Sequence, residues 1–282
     1  MVENRPFLTF VSHLVLILGV VIIAFPVWMT FVGSTHDQAT MLRAPVPIWP
    51  GTHLYENYYE VIVNGYGRSG GVPVWLTLFN SMVMALGVVI GKLAISIIAA
   101  FAIVYFKFPF RMAFFWAIFV TLMLPVEVRI VPTYGVVANL GMLDSYSGLV
   151  IPLIASVTAT FLFRQFFMSV PDELAEAARV DGAGPMRFFV DILLPMSRTS
   201  IAALFVIQFI YGWNQYLWPL LITTKESFYT VVMAVSRQAN ASDAVPSWNL
   251  LMAMAMLAML PPVAVVMIMQ RQFVRGLVET EK

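Results

Sequence analysis

Glu176-Ala177-Ala178-Arg179-Val180-Asp181-Gly182, followed after nine residues by Ile192-Leu193-Leu194-Pro195, is a polar stretch stranded between strongly apolar ones. Its local signals read as a helical hairpin over about 167–199. Ser169 can cap a helix, Pro171 fits a first turn where a missing N–H does no harm, and Asp172 and Glu173 suit the positive end of the helix dipole. Ala175, Ala177 and Ala178 favour a short helix with a thin surface, onto which another protein can pack closely. Gly182 supplies the freedom to stop it. A second helix is expected over 185–193, with Met186, Phe189 and Leu193 at helical spacing, and Pro195 is expected to end it.

The hairpin matters because of what surrounds it. Hydrophobic residues make up 60% of the chain and charged residues 11%, where soluble domains carry roughly a quarter charged. Together with a mean hydropathy of +0.85, this reads as an all-α integral membrane protein. Crossing roughly 30 Å of hydrocarbon takes about 20 residues of helix, and six segments qualify: about 10–32, 75–105, 112–132, 148–166, 200–221 and 249–270. The first is longer than a secretory signal core and lacks a small-x-small cleavage site, so it reads as a retained span. With no tandem repeat or low-complexity tract, 1–282 reads as a single membrane domain.

Orientation follows from Lys and Arg placement. With the N-terminus in the cytoplasm, the inner segments hold Arg5, Lys107, Arg111, Arg164, Arg179, Arg187, Arg198, Arg271, Arg275 and Lys282, against only Arg43, Arg68, Lys225 and Arg237 outside. Both termini are therefore expected in the cytoplasm. The outer segment 33–74, with Pro45, Pro47, Pro50 and a glycine-rich run from Gly65 to Gly71, reads as a turn-rich loop with one short helix near 54–63. It either contacts a partner or shields helix ends, and the polar segment 222–248 has the same two readings.

The pattern Glu-Ala-Ala, three residues, Gly, nine residues, Ile-x-Leu-Pro resembles, at every fixed position, the cytoplasmic signature of permeases of binding-protein-dependent ABC importers. Asn80-Ser81, Pro125, the run from Trp213 to Leu220 and the tail from Gln270 to Leu277 are similar to the maltose-type group of that family. Leu122 to Arg129 and Tyr211 to Gln215 look most like that group's sn-glycerol-3-phosphate permeases. The resemblance implies a six-span type I ABC importer permease whose hairpin is a coupling helix. It implies a second permease as heterodimer partner, two copies of an ATP-binding subunit, a periplasmic solute-binding protein and residence in a bacterial inner membrane. ATP and Mg would sit in the ATPase subunits, with no cofactor in this chain and no nucleic acid partner. Carried over by position, Glu176, Ala177, Ala178, Arg179 and Gly182 would form the ATPase-coupling surface. The expected cargo is sn-glycerol-3-phosphate or a glycerophosphodiester, with a sugar or oligosaccharide as the alternative.

Ionisable groups at membrane depth are costly and usually face a pore, a partner or an interface. Glu127 and Arg129 are thus candidates for the translocation path, Arg129 by attracting phosphate and Glu127 by orienting it or accepting from a substrate hydroxyl. The competing reading is an ion pair that shapes the external gate. Trp213, Asn214 and Gln215 could line the path, while Trp213, Tyr216 and Trp218 equally suit an interfacial aromatic belt. Lys92 reads as a helix–helix or partner contact.

Several chemistries are disfavoured. Gly87 to Leu93 imitates part of a phosphate-binding loop but has the wrong spacing and no hydroxyl, so its glycines read as close helix packing. His13, His36 and His53 lack metal-ligand spacing, cysteine is absent, and the methionines Met252, Met254, Met256 and Met259 spread round a helix rather than forming a ligand face; no metal site is expected. An enzyme would need clustered catalytic groups at one depth. A secondary transporter would need ion relays and internal symmetry, and would not need the hairpin.

Overall fold

The computed structural model describes residues 6–65, 71–123, 126–240 and 246–278, with the side chains of residues 6, 121–127 and 272–278 outside that description. Every regular element among the described residues is helical. Three helices are long and apolar enough to cross a membrane: Phe7–Ser34, Val74–Tyr105 and Trp248–Arg271. Two bent pairs, Tyr146–Leu153 with Val157–Ser169 at 48° and Pro185–Met196 with Arg198–Trp213 at 71°, raise the number to five if each pair is one span.

The difference from the expected six has local causes. The segment expected as one span over 112–132 runs as Arg111–Met123 and then Val126–Asn139, with Leu124 and Pro125 outside the described residues. In the 148–166 segment, Pro152 sits in a short 3-10 turn, and the chain restarts at Ser156, whose hydroxyl accepts from Ala159 N at 3.3 Å. The segment expected over 200–221 ends a helix at Trp213 and begins another at Leu217. A hydropathy average passes over the interruptions at 154–156 and 214–216, because Ser156, Asn214 and Gln215 are few among apolar neighbours.

By contacts the chain clusters into two compact units. The first comprises residues 1–76 and 234–260. Its polar cap is tied by Asn57, only 6% exposed, whose Nδ2 donates to Ser34 O and His36 O, both at 2.8 Å, while its Oδ1 accepts from Asn249 Nδ2 at 2.8 Å. The outer loop is held by Thr35, whose hydroxyl accepts from Gly51 N at 2.7 Å, and by Trp28, whose indole donates to Ile48 O at 3.0 Å. A short helix, Leu54–Tyr59, continues as a π-turn to Asn64.

The second unit comprises residues 77–233 and 261–282 and contains two apolar clusters. One joins Ile97, Phe101, Phe163 and Phe167 to the hairpin residues Ala178, Phe188, Phe189 and Leu193. The other joins Met84, Val88 and Ile130 to Leu149, Trp218 and Ile222. Gly87 and Gly91 allow close approach, since a Cβ on them would meet Val150 side-chain carbons at 2.9 Å and Ile154 Cγ2 at 2.5 Å respectively. Asn80 and Ser81 are fully engaged. Asn80 Nδ2 donates to Ser227 O and Tyr229 O, its Oδ1 accepts from Tyr146 Oη, and Ser81 Oγ accepts from Val231 N. A buried network satisfied in this way fixes one arrangement of the segments it joins.

Candidate functional site

The hairpin helix spans Asp172–Val180, with Asp172 and Glu173 in its first turn and Arg179 in its last. Its start differs from the expected one. Ser169 closes the preceding helix, its hydroxyl donating to Phe166 O at 2.7 Å, and Pro171 is the N-cap with no side-chain hydrogen bond. Its end matches expectation. Gly182 has φ +72°, Gly182 N donates to Arg179 O at 3.0 Å, and Ala183 N donates to Ala178 O at 2.8 Å. These two bonds form a Schellman stop, which needs the left-handed residue at this position.

The hairpin's two sides do different things. Glu176, Ala177, Arg179 and Gly182 are exposed, but Ala178 is 6% exposed and points into the core. Ala178 therefore belongs to the anchoring side, and the open surface instead includes Val180 and Met186, at 87% and 64% exposure. The Arg187–Asp191 pair at 3.3 Å is solvent-exposed and contributes little.

After Pro185–Phe188 the hairpin continues through a π-turn, Phe189–Leu193, and runs past Pro195 to Met196. Pro195 is tolerated because it opens the short Leu194–Met196 turn rather than sitting deep in a helix, so the stop falls at Ser197, not before it. The π-turn helps aim both Phe188 and Phe189 inward. Phe189 packs on Phe101 at 4.7 Å between ring centroids, Phe188 on Tyr105 at 5.3 Å, and Tyr105 Oη donates to Phe167 O at 3.3 Å. Burying each such ring is worth roughly 2 kcal/mol. The hairpin is thus clamped to the end of the Val74–Tyr105 helix.

About 20 Å along the same helix from Tyr105, at 1.5 Å per residue, lies Lys92. It is 6% exposed; its Nζ donates to Gln208 Oε1 at 2.9 Å and lies 3.6 Å from the centre of the Tyr211 ring. The expected helix–helix contact is therefore present, linking Val74–Tyr105 to Arg198–Trp213. Arg129, partly buried on the Val126–Asn139 helix, is near enough for its charge to act on Lys92. Glu127 lies in the first turn of that helix, and its side chain is outside the described residues.

Trp213, Asn214 and Gln215 fall at the break between the Arg198–Trp213 and Leu217–Ile222 helices. Asn214 is exposed at the helix C-cap, and Gln215 Nε2 donates to Tyr211 O at 3.2 Å. Trp213 is 2% exposed and stacks on Phe209 at 5.8 Å; Trp218 is 2% exposed and its indole donates to Gly148 O at 3.0 Å. Neither ring belongs to an interfacial belt; of the three aromatics, only Tyr216 is open at the surface. Partners such as Lys92 and Gln208 are 116 residues apart in sequence, and no local spacing signals their meeting.

Residues 92–279 match the family described as the inner membrane component of binding-protein-dependent transport systems. The chain belongs to this family. As a member of it, this permease is similar over its full length, and over the full length of each relative, to proteins named sn-glycerol-3-phosphate transport system permease protein UgpE. The identity is 57% for that of Agrobacterium fabrum, 56% for that of Rhizobium meliloti and 57% for that of Escherichia coli O157:H7. Its fold matches a chain from the crystal structure of a bacterial ABC transporter involved in the import of the acidic polysaccharide alginate. The TM-score is 0.81 at 18% identity, covering 97% of this permease and 99% of that chain. The fold is thus that of an ABC importer permease, all-helical and membrane-embedded, and the chain is an inner membrane component of a binding-protein-dependent transport system.

Proposed function

We propose that this permease forms one half of the membrane pathway of an ATP-driven importer of sn-glycerol-3-phosphate or related glycerophosphodiesters. End-to-end identity of 57% with permeases named for that substrate is the observation that carries the reading. A second permease completes the pathway, two ATP-binding subunits supply ATP and Mg chemistry, and a periplasmic binding protein delivers the cargo. The chain crosses the membrane six times with both termini in the cytoplasm, the expected spans over 148–166 and 200–221 being interrupted ones.

In this reading Glu176, Ala177, Arg179 and Gly182, with Val180 and Met186, seat in the ATPase, and closure of two ATPase subunits moves the hairpin. The aromatic clamp through Phe101, Tyr105, Phe188 and Phe189 passes that movement to the Val74–Tyr105 helix. Arg129 draws the phosphate into the path, Glu127 orients it, and Asn214 and Gln215 line the break in the fifth span beside Trp213.

The test is ATPase activity of the four-component complex in nanodiscs, titrated with sn-glycerol-3-phosphate and separately with maltose. Stimulation by the phosphate ester alone is expected; stimulation by maltose alone would replace the cargo assignment. Arg129→Ala is expected to cut sn-glycerol-3-phosphate uptake at least about tenfold, the loss of one hydrogen bond to a charged group. Uptake unchanged in a variant that still copurifies with its partners would remove Arg129 from the path.

A further inference from the structure

Lys92 is a buried cation in an unusual setting. Its ammonium offers three donors and carries a full charge, yet among the described residues its contacts are neutral: the Gln208 amide oxygen and the face of Tyr211. Both attract a cation without cancelling it. No carboxylate whose side chain is described lies within salt-bridge distance of Lys92 or Arg129. Among the residues whose side chains are described, the charge that reaches Lys92 is a second cation, Arg129, with Glu127 outside that description. Two positive groups at membrane depth raise each other's cost, and an anionic cargo would offset it.

We propose that Lys92 is a specificity-determining residue of the translocation path, pairing with Arg129 to receive the phosphate of the cargo, with Gln208 and Tyr211 as the positioning residues that hold its ammonium ready. This rests on the cargo reading above and extends it to a site built from three helices. A dianionic phosphate monoester has the charge and the acceptor oxygens to satisfy both cations at once. A neutral sugar has neither, so the same pair selects against it. Placement on the Val74–Tyr105 helix adds a mechanical consequence. The hairpin clamp grips that helix at its end and the hairpin itself runs on into the Arg198–Trp213 helix, so movement of the ATPase subunits reaches Lys92 and its two positioning residues alike.

The test uses the complete complex in proteoliposomes with its loaded binding protein, reading sn-glycerol-3-phosphate taken up per ATP hydrolysed in wild type, Lys92→Gln and Lys92→Arg. Wild-type uptake establishes the cargo independently; its absence would defeat the cargo reading itself. Given wild-type uptake, Lys92→Gln is expected to lower the ratio at least about tenfold, the scale of one lost charge-assisted hydrogen bond. Lys92→Arg, which keeps the charge, is expected to stay within about threefold of wild type, Arg and Lys not being interchangeable in geometry. A ratio near wild type in Lys92→Gln, an equal loss in Lys92→Arg, or failure of Lys92→Gln to assemble while wild type does would each overturn the proposal.

Discussion

Gly182→Pro is expected to abolish uptake while the chain still inserts and pairs with its partner permease. Proline holds φ near −65°, whereas Gly182 sits at +72°, and proline also removes the N–H that donates to Arg179 O. The Schellman stop therefore cannot form, and the helix carrying Glu176 and Arg179 can no longer turn into the segment that bears Phe188 and Phe189. A proline misplaced in this way costs ~3 kcal/mol, equivalent to about two orders of magnitude in the population of the native hairpin. A Cβ at position 182 would meet nothing within 4 Å, so the defect is purely conformational and graded substitutions separate it from crowding. Asn, which tolerates the left-handed region, should retain most uptake; Ala, which pays roughly 1–2 kcal/mol there, should lose about tenfold. Uptake and ATPase copurification measured across wild type, Gly182→Asn, Gly182→Ala and Gly182→Pro should fall in that order. A Pro variant with wild-type uptake would take the hairpin out of the drive train.

The hairpin is the part of this chain most legible in its sequence, because its signals are local. Gly182, Asp172 and Glu173 each act on the turn in which they sit, and all three are where that logic puts them. Ser169 failed because two helix ends compete for it, and the preceding helix, running continuously from Val157, takes its hydroxyl. The inward turn of Ala178 follows from tertiary packing: the helix offers two alanine faces of nearly equal chemistry, and only the positions of Phe101, Phe163 and Phe167 decide which is buried. In the apolar segments the signal that identifies a span, continuous hydropathy, is blind to interruption, so Pro152 and the 213–217 break passed as helix interior. The buried charges differ in how they show in the sequence. Arg129 stands out by its charge at depth, whereas Lys92 acquires meaning only through Gln208 and Tyr211, which arrive from another helix.

Gly148→Ala should be the most destabilising methyl group that can be added to this unit. Position 148 is buried in the Tyr146–Val150 helix, and a Cβ there would lie 2.1 Å from the backbone oxygen of Met142 and 3.4 Å from Ile222 Cδ1. A side chain in the way can rotate, but a carbonyl must move its peptide, and this peptide is held on both sides. Met142 O accepts the Ser145 hydroxyl at 2.7 Å, and Met142 N donates to Val137 O at 3.0 Å. Two residues on, Asp144 pins the loop to the next segment: its carboxylate accepts from Thr224 N and Thr224 Oγ1 at 2.6 Å each and from Lys225 N at 2.9 Å, while Asp144 N donates to Ile222 O at 3.1 Å. The helix cannot retreat either, because Gly148 O accepts the buried Trp218 indole and Leu149 is fully buried behind it. Overpacking without relief costs ~3 kcal/mol, which for a chain of this size lowers the unfolding midpoint by about 10 °C. Gly135→Ala is the matched control: it adds the same methyl inside the Val126–Asn139 helix with nothing within 4 Å, and a helical Gly→Ala change there should be neutral or stabilising. Thermal unfolding of both variants in the same detergent decides the matter, since a Gly148→Ala midpoint equal to that of Gly135→Ala would mean that the 142–148 turn yields where its hydrogen bonds say it is fixed.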